Sequence, residues 1–261
     1  MLPVLQIFSV PIPTYFLVIS LLCTIGVFVL PWWAVRFDQS EGTASRLYLI
    51  ILVSGLLGAR LFHVLFEEAD FYIANPFQAL LLWEGGYVFL GGVLFALVAS
   101  WFWLKKTGED FFIWGDFFAP FMAFGYAFGR LGCFFNGCCY GTECHLPWAV
   151  KFPAHMNVIY PFVPRHPTQI YAFLSELVLA VVLFILVFRK GKSIKAFKDS
   201  GLIFCTWIFF HGLNRFVLEF YRGDDRGDLY FGWSLSSLIS IGLMSLGFWG
   251  FIWRRQKAKK L

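Results

Sequence analysis

Charged side chains interrupt several otherwise apolar stretches of this chain. One is Arg130, which lies in a run of aromatic and small residues. Three others are Arg215, Glu219 and Arg222, whose i, i+4 and i+7 spacing places them on one face of a helix. An arginine fork binds a phosphate through two parallel hydrogen bonds. We therefore predict a phosphate-binding site at Arg130 and Arg222. For Arg215 and Glu219, the simpler alternative is that the two side chains only neutralise each other.

Two further ionisable groups lie in apolar stretches. Asp116 opens one stretch, and Arg60 follows Gly58 and Ala59 in another. A charge within a membrane is costly, so it usually faces the interior of a helix bundle and marks function. For Arg60, a functional role and a side chain that snorkels to the interface are both consistent with the sequence.

Cysteines form a second group with chemical potential. Four of the six, together with a histidine, lie close in sequence: Cys133, Cys138, Cys139, Cys144 and His145. A Cys139–Cys144 disulfide or plain structural thiols are favoured, because the outer side of a membrane is oxidising. A metal site built from Cys138, Cys139, Cys144 and His145 is a weaker alternative, since the spacing lacks the usual C-x2-C pair. A reactive thiol that carries the lipid covalently is the third.

The composition indicates which elements must position these groups. Hydrophobic residues make up 59% of the 261 residues and charged residues only 14%, whereas soluble domains carry about 25% charged residues. Mean hydropathy is +0.70. These values exclude an ordinary water-soluble enzyme and a disordered chain. They predict an all-α polytopic membrane protein.

Apolar runs long enough to cross a bilayer occur about seven times. They lie at about 14–34, 47–66, 86–104, 115–137, 168–188, 201–221 and 232–253. The semi-polar stretch 76–86 before the third run is expected to lie at the interface or to re-enter the membrane. We expect one domain over residues 1–261, with an outer loop at 142–167 between the fourth and fifth spans.

Basic residues predict the orientation. Fourteen of the 21 Lys and Arg residues fall in three loops and the C-terminal tail, which therefore face the cytoplasm: Arg36, Arg46, Lys105, Lys106, Arg189, Lys190, Lys192, Lys195, Lys198, Arg254, Arg255, Lys257, Lys259 and Lys260. The N-terminus is then outside and the C-terminus inside. The net charge of +5 thus reflects topology, and no nucleic-acid partner is expected.

Ordered motifs resemble those of a known family. Residues 129–141, GRLGCFFNGCCYG, resemble the GRxGNFxNGExxG signature of bacterial prolipoprotein diacylglyceryl transferases. Further blocks follow the family order over about residues 12–253: Tyr15, Gly58-Ala59-Arg60, Asp116 to Pro120, Arg165 to Tyr171 (RHPTQIY), and Arg215 through Glu219 to Arg222.

The resemblance implies a transferase of the bacterial cytoplasmic (inner) membrane. Its substrates would be phosphatidylglycerol, within the surrounding membrane lipid, and preprolipoprotein signal peptides with a lipobox cysteine; the products would be a diacylglyceryl-modified thiol and glycerol 1-phosphate. Arg130 and Arg222 would be catalytic. Substrate-binding residues would be Tyr15, Arg60, Asn136, Gly137, Gly141, Arg165, His166, Gln169, Arg215 and Glu219. No redox or nucleotide cofactor is expected, because no nucleotide-type phosphate loop is present.

Four positions depart from the family pattern. Leu90 stands where the family has a functionally important histidine; the other departures are Cys133 for asparagine, Cys138 for glutamate and Ala172 for glutamate. Leucine can neither accept a thiol proton nor hold a phosphate. His63 and His166 are candidate replacement bases. The alternatives are a related transferase with another acceptor, or a lipid-binding or transport protein without catalysis.

Overall fold

The helices dominate the structure. The computed structural model describes residues 3–7, 10–153, 161–189, 200–224, 229–230 and 232–260. Within these ranges the helices are α1 (Thr14–Arg36), α2 (Glu41–Phe62), α3 (Ala69–Ala74), α4 (Phe89–Thr107), α5 (Phe111–Asn136), α6 (Thr168–Arg189), α7 (Leu202–Glu219) and α8 (Leu235–Lys260). A π-helical turn (His63–Glu67) extends α2.

Three short antiparallel hairpins complete the described secondary structure. They pair β1 (Val4–Ile7) with β2 (Val10–Pro13), β3 (Val150–Lys151) with β4 (Pro164–Arg165), and β5 (Leu229–Tyr230) with β6 (Trp233–Ser234). The registers place Val4 opposite Pro13, Val150 opposite Arg165 and Leu229 opposite Ser234.

Seven helices, all except the short α3, are long and apolar enough to cross a membrane. The predicted all-α polytopic architecture is therefore confirmed, whereas the side on which each terminus lies stays a prediction. The third span begins at Phe89 and not at residue 86, because Gly85 and Gly86 adopt φ values of +86° and +76° that end the preceding 3-10 turns. Those turns, Pro76–Leu80 and Leu82–Glu84, occupy the semi-polar stretch.

The chain separates into two compact units. The larger unit comprises Met1–Gly26 and Phe112–Leu261, and the smaller unit comprises Val27–Phe111. The expectation of a single domain stays a prediction.

In the smaller unit, glycines let α2 and α4 approach closely. A Cβ atom added to Gly92 would lie 2.9 Å from the carbonyl oxygen of Gly55, and one on Gly91 would lie 2.5 Å from that of Gly58. Small residues at such positions are typical of helix packing in membranes, where close backbone contact replaces the hydrophobic drive.

In the larger unit, Asp116 caps a neighbouring helix. Its carboxylate accepts hydrogen bonds from the backbone N–H of Gly201 (2.7 Å) and of Phe204 (2.8 Å), at the first turn of α7. This buried charge thus satisfies N–H groups that have no partner within the helix. At the residue before Gly201, the buried Arg254 of α8 donates through Nε to the carbonyl of Ser200 at 2.5 Å. Asp116 and Arg254 therefore fix the start of α7.

The described parts of the outer loop are folded against the end of α5. Phe152 is fully buried and packs with Tyr140, Phe134 and Val150. The backbone N–H of Phe162 donates to the carbonyl of Phe152 at 2.8 Å. Residues 154–160 of the predicted loop lie outside the described residues.

Candidate active site

The end of α5 carries a helix-terminating turn that brings two cysteines together. Gly137 adopts a φ of +75°; its N–H donates to the carbonyl of Phe134, and the N–H of Cys138 donates to that of Cys133, both at 3.2 Å. This pair of bonds defines a Schellman motif, in which the residue after the glycine contacts the residue five positions earlier. The motif therefore places Cys138 over Cys133.

Four consecutive carbonyl groups anchor the segment that follows, residues 137–141, which we call the signature turn. Gln169 Nε2 donates to the carbonyl of Cys138 and Thr168 Oγ1 to that of Cys139, both at 2.7 Å. The carbonyls of the next two residues accept from the Gly223 N–H (3.2 Å) and from Arg165 Nη1 (3.4 Å). The predicted substrate-binding residues Gln169 and Arg165 thus hold the signature turn through its backbone carbonyls.

Gly141 lies where two backbone segments meet. Its N–H donates to the carbonyl of His166 at 2.9 Å, and an added Cβ would lie 2.5 Å from the Cβ of His166 and 2.7 Å from the carbonyl oxygen of Tyr221. The missing side chain of Gly141 therefore permits close contact with these two backbone segments, and substrate binding at Gly141 stays a prediction.

Arg130 lies about two helical turns before this segment and keeps most of its donors. One Nη2–H donates to the hydroxyl of Tyr126, and the guanidinium lies 4.6 Å from the centroid of the same ring. Among the described residues no other hydrogen-bond partner of the guanidinium is found. A guanidinium has five N–H groups, so four remain for a ligand.

Arg222 lies just past α7 and is oriented by an acid that the sequence reasoning missed. It donates to both carboxylate oxygens of Asp224, through Nε at 2.7 Å and through Nη2. Burial alone would lower the pKa of Arg222, but the hydrogen bonds to Asp224 outweigh it and raise the pKa. Asp224, two residues after Arg222, therefore balances the charge of this arginine. The signal was the R-G-D sequence itself.

Arg215 and Glu219 form the pair that the simpler alternative describes. Arg215 Nη1 lies 3.3 Å from Glu219 Oε2, and Glu219 Oε1 accepts from the hydroxyl of Ser234 at 2.6 Å. This arrangement links α7 to the start of α8. It agrees with a positioning role for Glu219 and leaves substrate binding by either residue a prediction.

The cysteines form a cluster different from the predicted ones. The Sγ atoms of Cys133, Cys138 and Cys139 all lie within 4.8 Å of one another. All six cysteines of the chain are free, so the Cys139–Cys144 disulfide is not present. Cys144 is buried elsewhere, and the side chain of His145 is 83% exposed beside Glu143.

The cluster has an uneven charge distribution. Hydrogen bonds with the Cys133 and Cys138 thiols, reinforced by the positive charges of Arg222 and Arg130, lower the pKa of the Cys139 thiol. Hydrogen bonding with Cys133 and Cys139 raises the pKa of Cys138. Of the three cluster thiols, Cys139 is therefore the one most readily ionised, and the charges of Arg130 and Arg222 both stabilise its thiolate.

Tyr15 and Asn136 flank the same region. A Cβ on Gly132 of α5 would lie 2.9 Å from the Cδ2 atom of Tyr15, so the tyrosine packs on α5 one turn before the signature turn. Arg130 and Cys133 lie within electrostatic range of the Tyr15 hydroxyl. Asn136 is half-buried at the last position of α5, and the described residues offer its side-chain amide no hydrogen bond.

A buried polar network supports Arg130 from within the bundle. Glu176 is fully buried; its Oε1 contacts Nδ1 of His211 at 2.7 Å and accepts from Nδ2 of Asn214 at 2.9 Å. The ring of His211 meets the Tyr126 ring edge-on at 4.6 Å, and Tyr126 in turn holds Arg130. Sequence reasoning missed this network, although Glu176 and His211 were visible as polar residues within apolar spans.

His166 is engaged by aromatic side chains. Its Nδ1 lies 3.1 Å from the hydroxyl of Tyr171, which also accepts from Trp148 Nε1 at 2.7 Å. The Tyr221 ring meets the imidazole edge-on. One imidazole nitrogen is thus committed to the fold.

Arg60 has a different role from the predicted one. This residue, 3% exposed, directs all five N–H groups at backbone carbonyls, those of Gln78, Ala79, Leu81, Gly85 and Gly86. No donor is left for a lipid phosphate. The assignment of Arg60 as a substrate-binding residue is therefore corrected: it holds the stretch before α4 in place.

The other candidate base also lies in the smaller unit, as does the departure at Leu90. Nδ1 of His63 lies 2.6 Å from Glu67 Oε2 in the π-helical turn. Leu90 is the second residue of α4 and is partly buried.

Comparison with known proteins identifies, over nearly the whole chain, the same family that the sequence motifs resemble. Residues 3–253 match the family described as prolipoprotein diacylglyceryl transferase. A phosphatidylglycerol–prolipoprotein diacylglyceryl transferase of Polynucleobacter necessarius subsp. necessarius is 38% identical over 206 residues, covering 78% of this chain and 74% of the relative. Relatives of the same name from Legionella pneumophila (32%; 86% of each chain) and Pseudomonas fluorescens (34%; 84% of this chain and 79% of the relative) are also similar.

Proposed function

The chain belongs to the prolipoprotein diacylglyceryl transferase family, and on that premise we propose that it modifies lipoproteins. It transfers the diacylglyceryl group of phosphatidylglycerol to the lipobox cysteine of a preprolipoprotein and releases glycerol 1-phosphate. The observation that carries this proposal is the pair Arg130 and Arg222, both of which lie within electrostatic range of the Cys139 thiol in the signature turn.

The proposed reaction is a displacement at carbon. The acceptor thiolate attacks the glyceryl carbon that bears the phosphodiester, the carbon–oxygen bond breaks, and the departing phosphate gains negative charge. Arginines at that phosphate stabilise the transition state more than the bound lipid, which is the condition for accelerating the step. Removing one such donor typically costs about 10²–10³ in rate.

The two arginines divide this task. Arg130 has four N–H groups without a partner among the described residues, so it is the main phosphate ligand. Arg222 is held by Asp224 through Nε and Nη2, and the residues that the structure describes offer Nη1 no partner, so Nη1 is assigned to the leaving group. An arginine fixed in this way loses little side-chain freedom when the lipid binds.

We place the chain in the bacterial cytoplasmic membrane with its N-terminus outside. The distribution of Lys and Arg supports this orientation, which puts the signature turn on the outer side, where preprolipoproteins emerge. Reporter fusions at Lys105 and at Leu261 should both report the cytoplasm; a periplasmic signal from either would reverse the orientation.

The test uses purified protein in detergent with phosphatidylglycerol and a lipobox peptide. A diacylglyceryl mass gain on the peptide is expected with phosphatidylglycerol, and none is expected with a peptide whose cysteine is serine. Replacing the donor by phosphatidylcholine should abolish the gain if the anionic glycerol headgroup is selected. An unmodified peptide, with a relative of this family modifying it in parallel, would overturn the proposal.

A further inference from the structure

We propose that Cys133, Cys138 and Cys139 form a three-thiolate site for a thiophilic divalent ion such as zinc, whose fourth position takes the thiol of the acceptor peptide. The inference rests on the proposed function and deepens it, because it names what activates the nucleophile in a chain that has Leu90 in place of the family histidine.

The backbone builds the site. The Schellman motif at Gly137 stacks Cys138 on Cys133, and Cys139, with a φ of +65°, turns its side chain back to the same point. A non-glycine residue at positive φ is uncommon and costs free energy, so it persists where its surroundings enforce it. Here they do, since Thr168 and Gln169 hold the carbonyls of Cys139 and Cys138.

The distances suit one ion. The three Sγ atoms lie within 4.8 Å of one another. With zinc–sulfur bonds of about 2.3 Å, tetrahedral coordination needs sulfurs about 3.8 Å apart. Small side-chain rotations close that gap. Bonds to the carbonyls of two ligand residues limit backbone movement, as partners around a metal site do.

Within the described part of the chain the cluster offers three protein ligands, which define an open site. Structural zinc sites are closed by four protein ligands, whereas catalytic sites leave one position for water or substrate. Neither Cys144 nor His145 lies with the cluster, and each of its three cysteines is only partly buried. A fourth ligand can therefore arrive from outside the chain.

The surrounding charge favours the loaded state. Three thiolates and a divalent ion sum to a charge of −1, and the acceptor thiolate makes it −2. Arg130 and Arg222 both interact electrostatically with Cys139. Two guanidinium groups at this point offset that charge and also lie where the donor phosphate is expected.

The chemical step balances without a histidine. The acceptor R–SH binds the ion as R–S⁻ and releases its proton to solvent, because a coordinated thiol is deprotonated. The sulfur then attacks the glyceryl carbon of phosphatidylglycerol. A carbon–sulfur bond forms, the carbon–oxygen bond to phosphate breaks, and glycerol phosphate leaves with the electron pair. The thioether product is a weak ligand and leaves the ion.

The first test measures the metal itself. Full-length protein is purified in detergent with a non-thiol reductant and with zinc, then freed of loose metal. We expect about one zinc per chain, and X-ray absorption should give three sulfur neighbours. A lipobox peptide should raise this number to four, whereas its serine counterpart should not. Absence of bound zinc, or an unchanged sulfur number with the cysteine peptide, would overturn the proposal.

Variants assign the ligands. Cys133→Ser, Cys138→Ser and Cys139→Ser should each lose most of the zinc, whereas Cys23→Ala, which alters a cysteine within α1, should keep it. Cobalt(II) in place of zinc should give the intense near-ultraviolet sulfur-to-cobalt absorption in the wild type and lose it in the three variants. Full zinc in any of the three would remove that residue from the site and contradict the proposal.

Chelation separates this inference from the proposed function. Removing the metal should stop peptide modification, and added zinc should restore it. If the metal-free protein modifies the peptide at the full rate, the transferase proposal stands and the metal proposal fails. If zinc and the fourth sulfur are found but no lipid is transferred, the metal site stands and the transferase proposal fails.

Discussion

Arg60 in the smaller unit and Arg130 in the larger unit show how two similar sequence signals lead to different roles. Each is an arginine within an apolar span, preceded by a glycine or alanine. Arg60 uses all five N–H groups on backbone carbonyls, whereas Arg130 uses one on Tyr126. An arginine whose donors are all satisfied stabilises the fold; one whose donors remain open can bind an anion.

The largest expected effect is at Arg130. Arg130→Lys keeps the charge but replaces the planar fork by a single ammonium, so phosphate can no longer be held through two parallel bonds. We expect kcat to fall about 10²–10³-fold with an unchanged melting temperature. Arg46→Lys, at an exposed position of α2, is the control and should leave both values unaltered. Full activity in Arg130→Lys would remove the phosphate role.

The opposite outcome is expected at Arg60. Arg60→Met fills similar space but leaves buried carbonyls without donors, each at a cost of about 1–3 kcal/mol where water cannot reach. We expect a clear loss of thermal stability, measured by intrinsic tryptophan fluorescence, while the protein that remains folded retains its turnover number. An unchanged melting temperature with lost turnover would show that Arg60 acts on substrate after all.

A smaller effect is expected from loosening the signature turn. Gln169→Leu removes the donor to the Cys138 carbonyl, and a displaced turn should slow transfer about 10- to 100-fold. The matched control is Gln39→Leu, since Gln39 is also a buried glutamine whose Nε2 donates to a carbonyl, that of Phe37. Equal rates for the two variants would show that the turn needs no such anchor.

The smallest effect is expected at Leu90. If the acceptor thiol is activated within the larger unit, Leu90→His restores the family residue without supplying a missing function. Steady-state kinetics should show activity preserved or raised. Complete loss would show that activity depends on leucine at this position, and a gain of several orders of magnitude would mean that the wild-type chain lacks an activating group.

The sequence predicted the framework of the molecule better than its contacts. The seven spans followed from apolar length. The cost of a charge within a membrane singled out Arg130 and Arg222 as candidates, and their roles stay predictions. The sequence could not predict that every N–H group of Arg60 is hydrogen-bonded. Its partners are backbone carbonyls of a segment whose path depends on positive φ at Gly85 and Gly86.

The cysteine cluster is a second set of contacts that sequence spacing did not predict. Spacing rules search for C-x2-C pairs, whereas here a Schellman motif joins residues five apart. The glycine between Cys133 and Cys138 was the available signal. The Arg222–Asp224 pair, in contrast, could have been predicted, because the two residues lie only two positions apart in the sequence.

Lipoprotein modification is tested by the ratio of glycerol phosphate released to peptide modified in a single reaction with phosphatidylglycerol and a lipobox peptide. We expect equal amounts of the two products, and formation of both about 10²–10³-fold slower in Arg130→Lys. Glycerol phosphate without modified peptide would identify a different acceptor. If neither product forms while phosphatidylglycerol still binds, the chain is a lipid-binding protein and the proposed transfer is wrong.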